Sequence, residues 1–328
     1  MTTSSLRWGL LGTARINRAL IPAIRAARRS RLAAVASRDP AVADAYARDW
    51  EIPVAHGSYE ALLADPAIDA VYIPLPNHLH VEWTLRAIAA GKHVLCEKPI
   101  ALTPQDVERL ADAAAAAGVV VTEGFMYRHH PQTARVEALV TGGAIGEPRL
   151  VRGAFTFTLM READVRLRPE WGGGSLWDVG CYPVSYARLL ARAEPVSVTG
   201  LAEDGPTGID LTFAGTLRFP DGLLASFDCG FRGPLRTELE VVGDEATLVV
   251  PHPFKPGQHE QLRIVRPEGA RVVDVEGELL YVGEIRDMED AALDGRPPTV
   301  SLTDSRGTVA AVAALYESAR SRTHVTPS

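Results

Sequence analysis

The sequence predicts two domains: an α/β N-terminal domain with a parallel sheet, and an α+β C-terminal domain with a large, mostly antiparallel open sheet. The chain has 328 residues, which is too long for a single ordinary core. Apolar runs alternate with helical patterns over residues 1–125, whereas strand-like runs follow one another from about Arg149. We expect domains at 1–125 and 126–328, with the last helix either in the second domain or packed back on the first.

Five short apolar runs form the predicted parallel strands of the first domain. They are Leu6–Leu11, Leu32–Ala36, Ala70–Ile73, His93–Cys96 and Val119–Thr122. Between the first two, apolar residues recur at helical spacing from Ile16 to Ala27. The helix that follows Asn77, which could cap it, is expected to end at Gly91. Thr103-Pro104 supplies an N-cap and a first-turn proline for the next helix.

The second domain is predicted to be strand-rich. Strand-like runs occur at Arg149–Leu159, Thr207–Phe219, Leu223–Phe231 and Glu238–Val250, with hairpin turns at Pro220–Gly222 and Gly243–Glu245. Helical patterns cover Leu176–Leu190, Tyr281–Leu293 and Asp304–Arg320. Helices on one face of a sheet leave the other face to be buried, so we expect a homodimer or homotetramer formed through this sheet.

Composition and charge exclude several classes of protein. A content of 46% hydrophobic and 23% charged residues is that of a globular protein. The net charge of −7 argues against a nucleic-acid partner, and the basic cluster at Arg25, Arg28, Arg29 and Arg31 is interpreted as the solvated end of the first helix.

The cysteines and apolar segments indicate the compartment. Three scattered cysteines form no disulfide framework and favour a reducing environment. A strand that begins by Leu6 leaves no room for a signal peptide, and no run reaches the ~18 apolar residues of a membrane span. We expect a cytoplasmic protein without a membrane partner.

The segment Gly9–Asn17 links the first strand to its helix and is a degenerate glycine motif. Gly12 holds the tight-turn position, Ala14 replaces the second glycine and Asn17 the third. An ordinary βα turn is the alternative, but the strand–turn–helix context favours a Rossmann dinucleotide site. The pyrophosphate would then lie at the helix N-terminus, against Gly12, Thr13, Ala14, Arg15 and Ile16.

Ser37-Arg38 ends the second strand, where an NAD-binding site usually has a carboxylate for the ribose 2′-hydroxyl. A guanidinium and a hydroxyl attract a 2′-phosphate that a carboxylate would repel. We therefore predict NADP(H), with NAD(H) the lesser alternative, because Asp39 could pair with Arg38 or reach the ribose itself.

The loop after the predicted strand Ala70–Ile73, Pro74–His78, is expected to lie along the cofactor, with Leu75, Asn77 and His80 on the cofactor side. His78-x-His80 and His129-His130 have no cysteine or carboxylate at ligand spacing, so we predict no metal site.

Lys98 follows the next strand and lies at the same predicted edge of the sheet. A lysine there is placed to polarise a carbonyl or lower a neighbour's pKa. In the second domain, Asp178 and Tyr182 are four residues apart and can share a helix face after the glycines at 172–174. A nearby ammonium would favour the tyrosine phenolate as a general base. A surface lysine and a packed tyrosine behind a glycine turn are the alternatives.

Four motifs together resemble the glucose–fructose oxidoreductase / inositol dehydrogenase (Gfo/Idh/MocA) family. They are Gly9–Ile16, Glu97-Lys98-Pro99, Glu123–Pro131 and Gly172–Tyr182. The resemblance implies that Lys98 is catalytic with Tyr182, and that Glu97 and Arg128 contact the cofactor. It also implies a substrate site that includes Tyr127, His129, Trp171, Asp178 and Tyr182, with Leu159–Trp171 shaping the pocket.

The tyrosine at 182, where many members have histidine, is similar to one branch of the family. That branch contains NADP-dependent D-xylose dehydrogenases, dimeric dihydrodiol dehydrogenases, glucose–fructose oxidoreductase and sugar-nucleotide 3-ketoreductases. We expect an NADP-dependent oxidoreductase acting on a carbohydrate-like alcohol or ketone, such as an aldose 1-dehydrogenase of the D-xylose/D-glucose type. Alternatives are a 3-ketosugar reductase, a trans-dihydrodiol dehydrogenase and, in a different class, a non-catalytic NADP-binding sensor.

Overall fold

The computed structural model describes residues 5–161 and 163–328. In chain order the first elements are β1 Leu6–Leu11, α1 Asn17–Ala26, β2 Ser30–Ala36, α2 Pro40–Asp49, β3 Val54–His56, α3 Tyr59–Ala64, β4 Ala70–Ile73, α4 His80–Ala89, β5 His93–Glu97, α5 Pro104–Ala117 and β6 Val121–Gly124. They are followed by α6 Pro131–Thr141, β7 Pro148–Thr158, α7 Cys181–Ala191, β8 Ser197–Asp204, β9 Asp210–Arg218, β10 Leu224–Gly230, β11 Arg232–Gly243, β12 Thr247–Val250, β13 His259–Arg266, β14 Gly269–Glu276, α8 Val282–Asp294 and α9 Leu302–Ser321.

The first sheet confirms the predicted doubly wound α/β fold. Its strands run in the order β3-β2-β1-β4-β5-β6, and every neighbouring pair is parallel. This order places the reversal of the winding between β1 and β4, where such folds bind their ligands. The core strands are apolar runs buried on both faces, as a parallel sheet with helices on both sides requires.

The chain divides into two compact units whose boundaries differ from the predicted one after residue 125. The first unit contains the described residues of Met1–Ala101, with Gln105–His129 and Leu279–Ser305. The second contains Leu102–Pro104, His130–Glu278 and Arg306–Ser328. Most of α9 therefore belongs to the second unit, and α8 belongs to the first.

Ion pairs attach α8 to the rest of the first unit. The Arg29 guanidinium lies 2.5 Å from the Asp290 carboxylate and 2.9 Å from that of Asp294, and the Arg29 backbone N–H donates to Glu289. Arg29 is therefore not the freely solvated cation that the sequence suggested. Long-range charge pairing of this kind leaves no signal in local sequence patterns.

The second unit contains the expected large sheet, which is mostly antiparallel. Its strand order is β14-β13-β12-β11-β7-β10-β9-β8, and the exception to antiparallel pairing is the parallel pair β10–β7. Buried and exposed residues alternate along β9 and β13, so one face of the sheet is covered and the other is open in this chain.

Helix Leu176–Leu190 was predicted as one regular α-helix and is found in two parts. Residues Leu176–Gly180 form a π-helix, and α7 continues from Cys181. Short 3₁₀ turns at Asn77–Leu79, Met126–His129, Val165–Leu167 and Pro169–Trp171 were also not predicted. Among the described residues, no helix combines the length and the apolar character needed to cross a membrane.

Candidate functional site

The residues predicted to bind the cofactor meet at one edge of the first sheet. Parallel strands present their carboxyl ends together, so the segments after β1, β2, β4 and β5 share that edge. These segments supply Gly12–Ile16, Ser37-Arg38, Leu75–His80 and Glu97-Lys98, in that order. The structure therefore brings together residues as distant in the sequence as Gly12 and Lys98.

Gly12 adopts a backbone conformation that favours glycine, and its neighbours lie at ordinary van der Waals distance. Its φ is +111°, and a Cβ there would lie 3.4 Å from Leu75 Cδ2 and 3.5 Å from the Tyr59 hydroxyl. Asn17, which replaces the last glycine of the motif, is fully buried and donates from Nδ2 to the Gly12 carbonyl at 2.9 Å. The turn is thus held by a side chain where the usual motif has close helix packing.

The first turn of α1 is open to an anion. The helix has no side-chain cap and no acidic residue in its first turn, so its leading N–H groups are not occupied by its own side chains. Thr13, Ala14 and Ile16 are half-buried and Arg15 is exposed. Together with the missing Cβ at Gly12, this arrangement fits the pyrophosphate of a dinucleotide.

At the end of β2, Asp39 is engaged by the fold. Its carboxylate accepts from the Ala41 N–H at 2.9 Å and caps α2, and the Ser37 hydroxyl accepts from the Asp39 N–H at 3.2 Å. Arg38 is exposed. This capping bond engages one oxygen of the Asp39 carboxylate in the fold, and Ser37 and Arg38 lie beside it at the end of β2.

Tyr59 is a residue at this edge that the sequence reasoning missed. Its ring packs edge-on against Trp83 with centroids 4.9 Å apart, and its hydroxyl lies close to Gly12 and to the Arg38 guanidinium. Burial raises the pKa of Tyr59, and Arg38 opposes that shift. Tyr59 follows β3, a strand of three residues that is too short to show a period in the sequence, so no ligand position is predicted after it.

Asn77 does not cap the next helix, contrary to expectation. It begins the 3₁₀ turn Asn77–Leu79, and the N-cap of α4 is Leu79, which makes no side-chain capping bond. His80 is buried and lies behind the loop: Nε2 is 2.7 Å from the Leu75 carbonyl oxygen and Nδ1 is 2.7 Å from that of Pro99. His80 therefore contacts the two loops at the cofactor edge through their backbone.

The end of β5 presents Glu97 and the half-buried Lys98. The Tyr72 hydroxyl donates to Glu97 Oε1 at 2.5 Å, and Glu123 Oε1 accepts from the Ile100 N–H at 2.9 Å. Glu123 and His80 thus contact the backbone of Ile100 and Pro99 just after Lys98, and Tyr72 holds the Glu97 side chain just before it. A fixed loop keeps the ammonium at a constant position relative to the sheet edge.

The segment after β6 contains three more predicted residues. Tyr127 is fully buried and packs edge-on against Phe125. Arg128 forms an ion pair with Asp304 at 2.8 Å, and His129 Nδ1 lies 3.9 Å from the Asp287 carboxylate. Burial lowers the pKa of His129 to about 4.

In the second unit, the glycine-rich turn at 172–175 leads into the π-helix. A Cβ on Gly173 would lie 2.4 Å from the Arg166 carbonyl oxygen, and one on Gly174, whose φ is +122°, would overlap the Asp210 carboxylate. Buried Asp210 accepts from Ser175 Oγ at 2.6 Å, from the Leu176 N–H at 2.8 Å and from the Tyr316 hydroxyl at 2.6 Å. Strands and helices distant in sequence thereby fix the start of the helix that carries Asp178 and Tyr182.

Asp178 has a cationic partner that the sequence did not assign. Arg166 donates from Nε to Asp178 Oδ2 at 2.7 Å, and its Nη1 lies 3.2 Å from Asp164 Oδ1. The pKa of Arg166 is raised. The Asp178 carboxylate raises it most, burial opposes that shift, and Asp164 raises it further. Arg166 therefore holds the Asp178 carboxylate in a fixed orientation.

Tyr182 lies among aromatic side chains. Its ring centroid is 5.3 Å from that of Phe155 and 5.6 Å from that of Phe254, and these two rings are themselves stacked.

Trp171 is 36% exposed at the end of a 3₁₀ turn, with the Arg168 guanidinium 5.8 Å from its ring centroid. An exposed tryptophan beside polar groups suits the apolar face of a sugar ring.

The predicted residues thus form two sets, one in each unit. The cofactor residues, Lys98, Tyr127 and His129 belong to the first, whereas Trp171, Asp178 and Tyr182 belong to the second. Within 5–161 and 163–328, no group of three or more histidine, cysteine, aspartate or glutamate side chains is arranged to hold a metal ion.

Comparison with known proteins places the chain among oxidoreductases. Residues 6–125 match the oxidoreductase family model with an NAD-binding Rossmann fold, GFO_IDH_MocA, and residues 133–249 match the GFO/IDH/MocA C-terminal domain. The chain is 36% identical over 318 residues to D-xylose 1-dehydrogenase (NADP(+)) 2 of Haloferax volcanii, covering 96% of this chain and 97% of that protein.

Two further similar proteins are named as reductases. The chain is 38% identical over 274 residues to dTDP-3,4-didehydro-2,6-dideoxy-alpha-D-glucose 3-reductase of Streptomyces violaceoruber, covering 82% of this chain and 80% of that protein. A 3-ketoreductase from Actinomadura kijaniata in complex with NADP and TDP-benzene superposes with a TM-score of 0.91 at 30% identity, covering 96% and 98% of the two chains. The chain therefore belongs to the Gfo/Idh/MocA family of oxidoreductases.

Proposed function

We propose that the protein is an NADP-dependent oxidoreductase that transfers hydride between the nicotinamide and a sugar or sugar-like alcohol or ketone, as an aldose 1-dehydrogenase does. The observation that carries the choice of cofactor is the end of β2, where Ser37 and Arg38 replace the usual carboxylate and Asp39 is occupied as a helix cap. The similarity to an NADP-dependent D-xylose dehydrogenase over 96% of the chain supports both the cofactor and the substrate class.

The proposed chemistry divides between the cofactor and three side chains. NADP⁺, held by the residues at the cofactor edge, would supply the acceptor for the hydride that leaves the carbon carrying the reacting hydroxyl. Tyr182 removes the hydroxyl proton during oxidation and returns it during reduction, and the ammonium of Lys98 favours the phenolate form that makes Tyr182 a base. Asp178, oriented by Arg166, accepts hydrogen bonds from substrate hydroxyls. Phe155 and Phe254 restrict the Tyr182 ring to one orientation.

A 3-ketosugar reductase is the second candidate. The relatives that favour it are the sugar-nucleotide 3-reductase at 38% identity and the 3-ketoreductase complex at a TM-score of 0.91. The same residues would serve that reaction in reverse, with Tyr182 as the proton donor. Substrate choice would then depend on Leu159–Trp171 and its neighbours, since the acid/base group is the same in both reactions.

Turnover and binding measurements test the proposal. We expect purified protein to reduce NADP⁺ with D-xylose or D-glucose, followed at 340 nm, and Lys98→Ala and Tyr182→Phe each to lower the rate by ~10²–10⁴-fold, the usual size of a general acid/base contribution. Tyr186→Phe, the same substitution at a buried tyrosine one helical turn after Tyr182 and outside the proposed chemistry, is the matched control.

Three outcomes would change the assignment. Full turnover in both variants with NADP⁺ still bound would remove Lys98 and Tyr182 from the mechanism. Activity with 3-ketosugar nucleotides or trans-dihydrodiols and none with aldoses would select one of the alternative substrates. Tight NADP⁺ binding without turnover of any of these compounds would indicate a sensor.

A further inference from the structure

Lysine is rare in this chain and arginine is common. Three lysines occur beside 31 arginines, so nearly every basic position of the sequence carries a guanidinium. Two of the three lysines lie in the first unit: Lys98 at the end of β5, and Lys92, whose ammonium donates to the Asp65 and Ile68 carbonyls at 2.8 Å each. The third, Lys255 of the second unit, is exposed and has no part in the proposed chemistry.

The loop that carries Lys255 joins β12 to β13 and is held at both ends by one side chain. Glu260 is 8% exposed; its Oε2 lies 2.9 Å from His252 Nδ1, before the lysine, and its Oε1 accepts from the Gly257 N–H at 2.6 Å, after the lysine. Phe254, the residue before Lys255, is fully buried. Because the loop is already ordered, binding through Lys255 would cost mainly the rotational freedom of its side chain.

The Lys255 ammonium lies beside the aromatic side chains that surround Tyr182. Its Nζ is 5.6 Å from the ring centroid of Phe155, which is within the range of a cation–π contact. The same Phe155 ring packs against Tyr182, with centroids 5.3 Å apart, and stacks on Phe254. The ammonium and the proposed acid/base group therefore contact one phenyl ring, and all four residues belong to the second unit.

An ammonium and a guanidinium suit different oxygen groups. A guanidinium presents a planar fork that matches the paired oxygens of a carboxylate or phosphate, whereas an ammonium is a compact charge with three donors that rotate freely. Sugar hydroxyl oxygens are single acceptors that point in different directions, so they suit the ammonium better. A lysine at this position of an arginine-rich chain therefore favours neutral sugar hydroxyls, and not an anionic group, as its ligand.

We propose that Lys255 is a substrate-binding residue whose ammonium donates hydrogen bonds to hydroxyl oxygens of the sugar. The second unit then offers the sugar both a hydrogen-bond acceptor, Asp178, and a donor, Lys255. This inference rests on the proposed function, because it requires a sugar as the substrate.

Deoxy sugars test the contact in combination with a Lys255 variant. Lys255→Met keeps the length of the side chain and removes the ammonium, so we expect kcat/KM for the aldose to fall by ~10–100-fold. The parent should lose a similar factor with at least one monodeoxy analogue of D-glucose or D-xylose. Lys255→Met should show less than about a threefold further loss with that same analogue, because both changes remove one hydrogen bond. If every analogue costs the variant as much as it costs the parent, the proposal is overturned.

Two other variants control for charge. Lys255→Arg keeps the positive charge but not the compact ammonium and should also bind the aldose less tightly. Arg271→Met removes an exposed cation from the edge strand β14 of the same sheet and should behave as the parent with every analogue. A Lys255→Arg variant equal to the parent, or a parent that prefers D-glucose 6-phosphate or D-glucuronate to D-glucose, would overturn the assignment of neutral hydroxyls as the ligand.

The dependence of the rate on pH separates substrate binding from an effect on Tyr182. Loss of a binding group should appear mainly as a higher KM, and the pH profile of kcat should keep its midpoint. A lower kcat with a shifted pH profile and an unchanged KM would assign the Lys255 ammonium to the ionisation of Tyr182, which contradicts the proposal.

The inference and the proposed function fail in distinguishable ways. Turnover of aldoses without any coupling between Lys255→Met and a deoxy analogue leaves the proposed function standing and makes the inference wrong. Coupling at one hydroxyl together with full turnover by Tyr182→Phe supports the role of Lys255 and removes Tyr182 from the mechanism. A protein that turns over no sugar contradicts both.

Discussion

At the end of β2, three consecutive side chains take different roles that the sequence could not separate. Asp39 caps α2, Ser37 is 9% exposed and accepts from the Asp39 backbone, and Arg38 extends toward solvent near Tyr59. The Asp39 carboxylate is engaged by a helix N–H, whereas the exposed Arg38 guanidinium is a cation that would attract a 2′-phosphate. This division of roles favours a cofactor with a negative charge at the 2′ position.

Arg38 is therefore expected to determine cofactor preference. Arg38→Ala should weaken NADP⁺ binding by ~10–100-fold, the usual range for loss of a charge-assisted hydrogen bond, and leave NAD⁺ binding within about twofold. Isothermal titration calorimetry would measure both affinities. Arg31→Ala, an exposed arginine near the start of β2, is the control for net charge. Equal losses for the two nucleotides would mean that Arg38 does not recognise the 2′-phosphate.

Two buried histidines make stability depend on pH. Burial lowers the pKa of both His80 and His129 from 6.5 to about 4. Below pH 6.5 the unfolded chain gains protons that the folded chain does not, so stability is fully present above 6.5 and is lost as the pH falls toward 4. The expected loss of unfolding free energy between pH 7 and 4.5 is about 2 to 3 kcal/mol per histidine.

Urea denaturation at pH 7, 5.5 and 4.5 checks this dependence. His129→Gln should remove the His129 contribution of about 2 to 3 kcal/mol, because glutamine does not titrate, and leave those of His80, His93 and His130, whose pKa values burial also lowers. His259→Gln, at a histidine whose side chain is 79% exposed, is the matched control and should keep the full dependence. A parent protein equally stable at all three pH values would contradict the depressed pKa values.

Among the elements, the turn at 172–175 and the π-helix after it depend most on tertiary contacts. Asp210 of β9 and Tyr316 of α9 hold this turn, and the Arg166 and Arg168 carbonyls approach the missing side chain of Gly173. A π-helix is rare and is found often at functional sites, which agrees with the presence of Asp178 and Tyr182 here. The helical spacing predicted a helix in this segment but not its π-helical start.

Gly174→Ala tests how strongly that turn is fixed. Its φ of +122° and the overlap of a Cβ with Asp210 Oδ1 and the Tyr316 hydroxyl should cost about 3 kcal/mol of unfolding free energy and most of the activity. Gly208→Ala is the matched control, since Gly208 also has a positive φ of +82° but open space around it. That variant should cost about 1 kcal/mol and keep its activity. Similar losses in denaturation experiments on the two variants would show that backbone conformation alone, and not the Asp210 contact, constrains the turn.

Element bounds were predicted best where apolar runs are buried on both faces. β1 and β4 have the predicted bounds, whereas β6 lies at Val121–Gly124 and not at Val119–Thr122, and β9 begins at Asp210 and not at Thr207. The short edge strand β3 was not predicted, because three residues that begin with the 41%-exposed Val54 do not show a period. The strands β8, β13 and β14 were likewise not identified, since their polar residues on the open face weaken the apolar signal.

At the scale of the whole molecule, the open face of the second sheet is the feature that one chain leaves unexplained. Leu201 is 71% exposed on β8, Val272 49% on β14 and Leu224 40% on β10. An antiparallel sheet tolerates one solvated face, but exposed aliphatic side chains on several of its strands are more typical of an interface. We therefore expect a homodimer or homotetramer formed through this face.

Sedimentation velocity tests that expectation. The parent protein should sediment as a dimer or tetramer, and the double variant Leu201→Lys, Leu224→Lys should shift toward monomer, because burying two unpaired ammonium groups is unfavourable. Val42→Lys, at a side chain of α2 that is 43% exposed, should leave the oligomer intact. A parent protein that is monomeric at all concentrations would mean that the open face is simply solvated.

The sequence by itself determined the order of elements at the cofactor edge, the two-domain division in outline and the motifs that carry the family resemblance, because these depend on local periodicity and turn chemistry. The tertiary structure decided what long-range contacts control: the docking of α8 on the first unit, the Arg166–Asp178 pair, the Asp210 contacts and the double contact of His80. The partners lie 5 residues apart in the contact of His80 with Leu75, 35 apart in that of Ser175 with Asp210, and 261 apart in that of Arg29 with Asp290. No local pattern specifies which distant side chain will satisfy a buried charge or carbonyl, since that choice is made only when the elements pack.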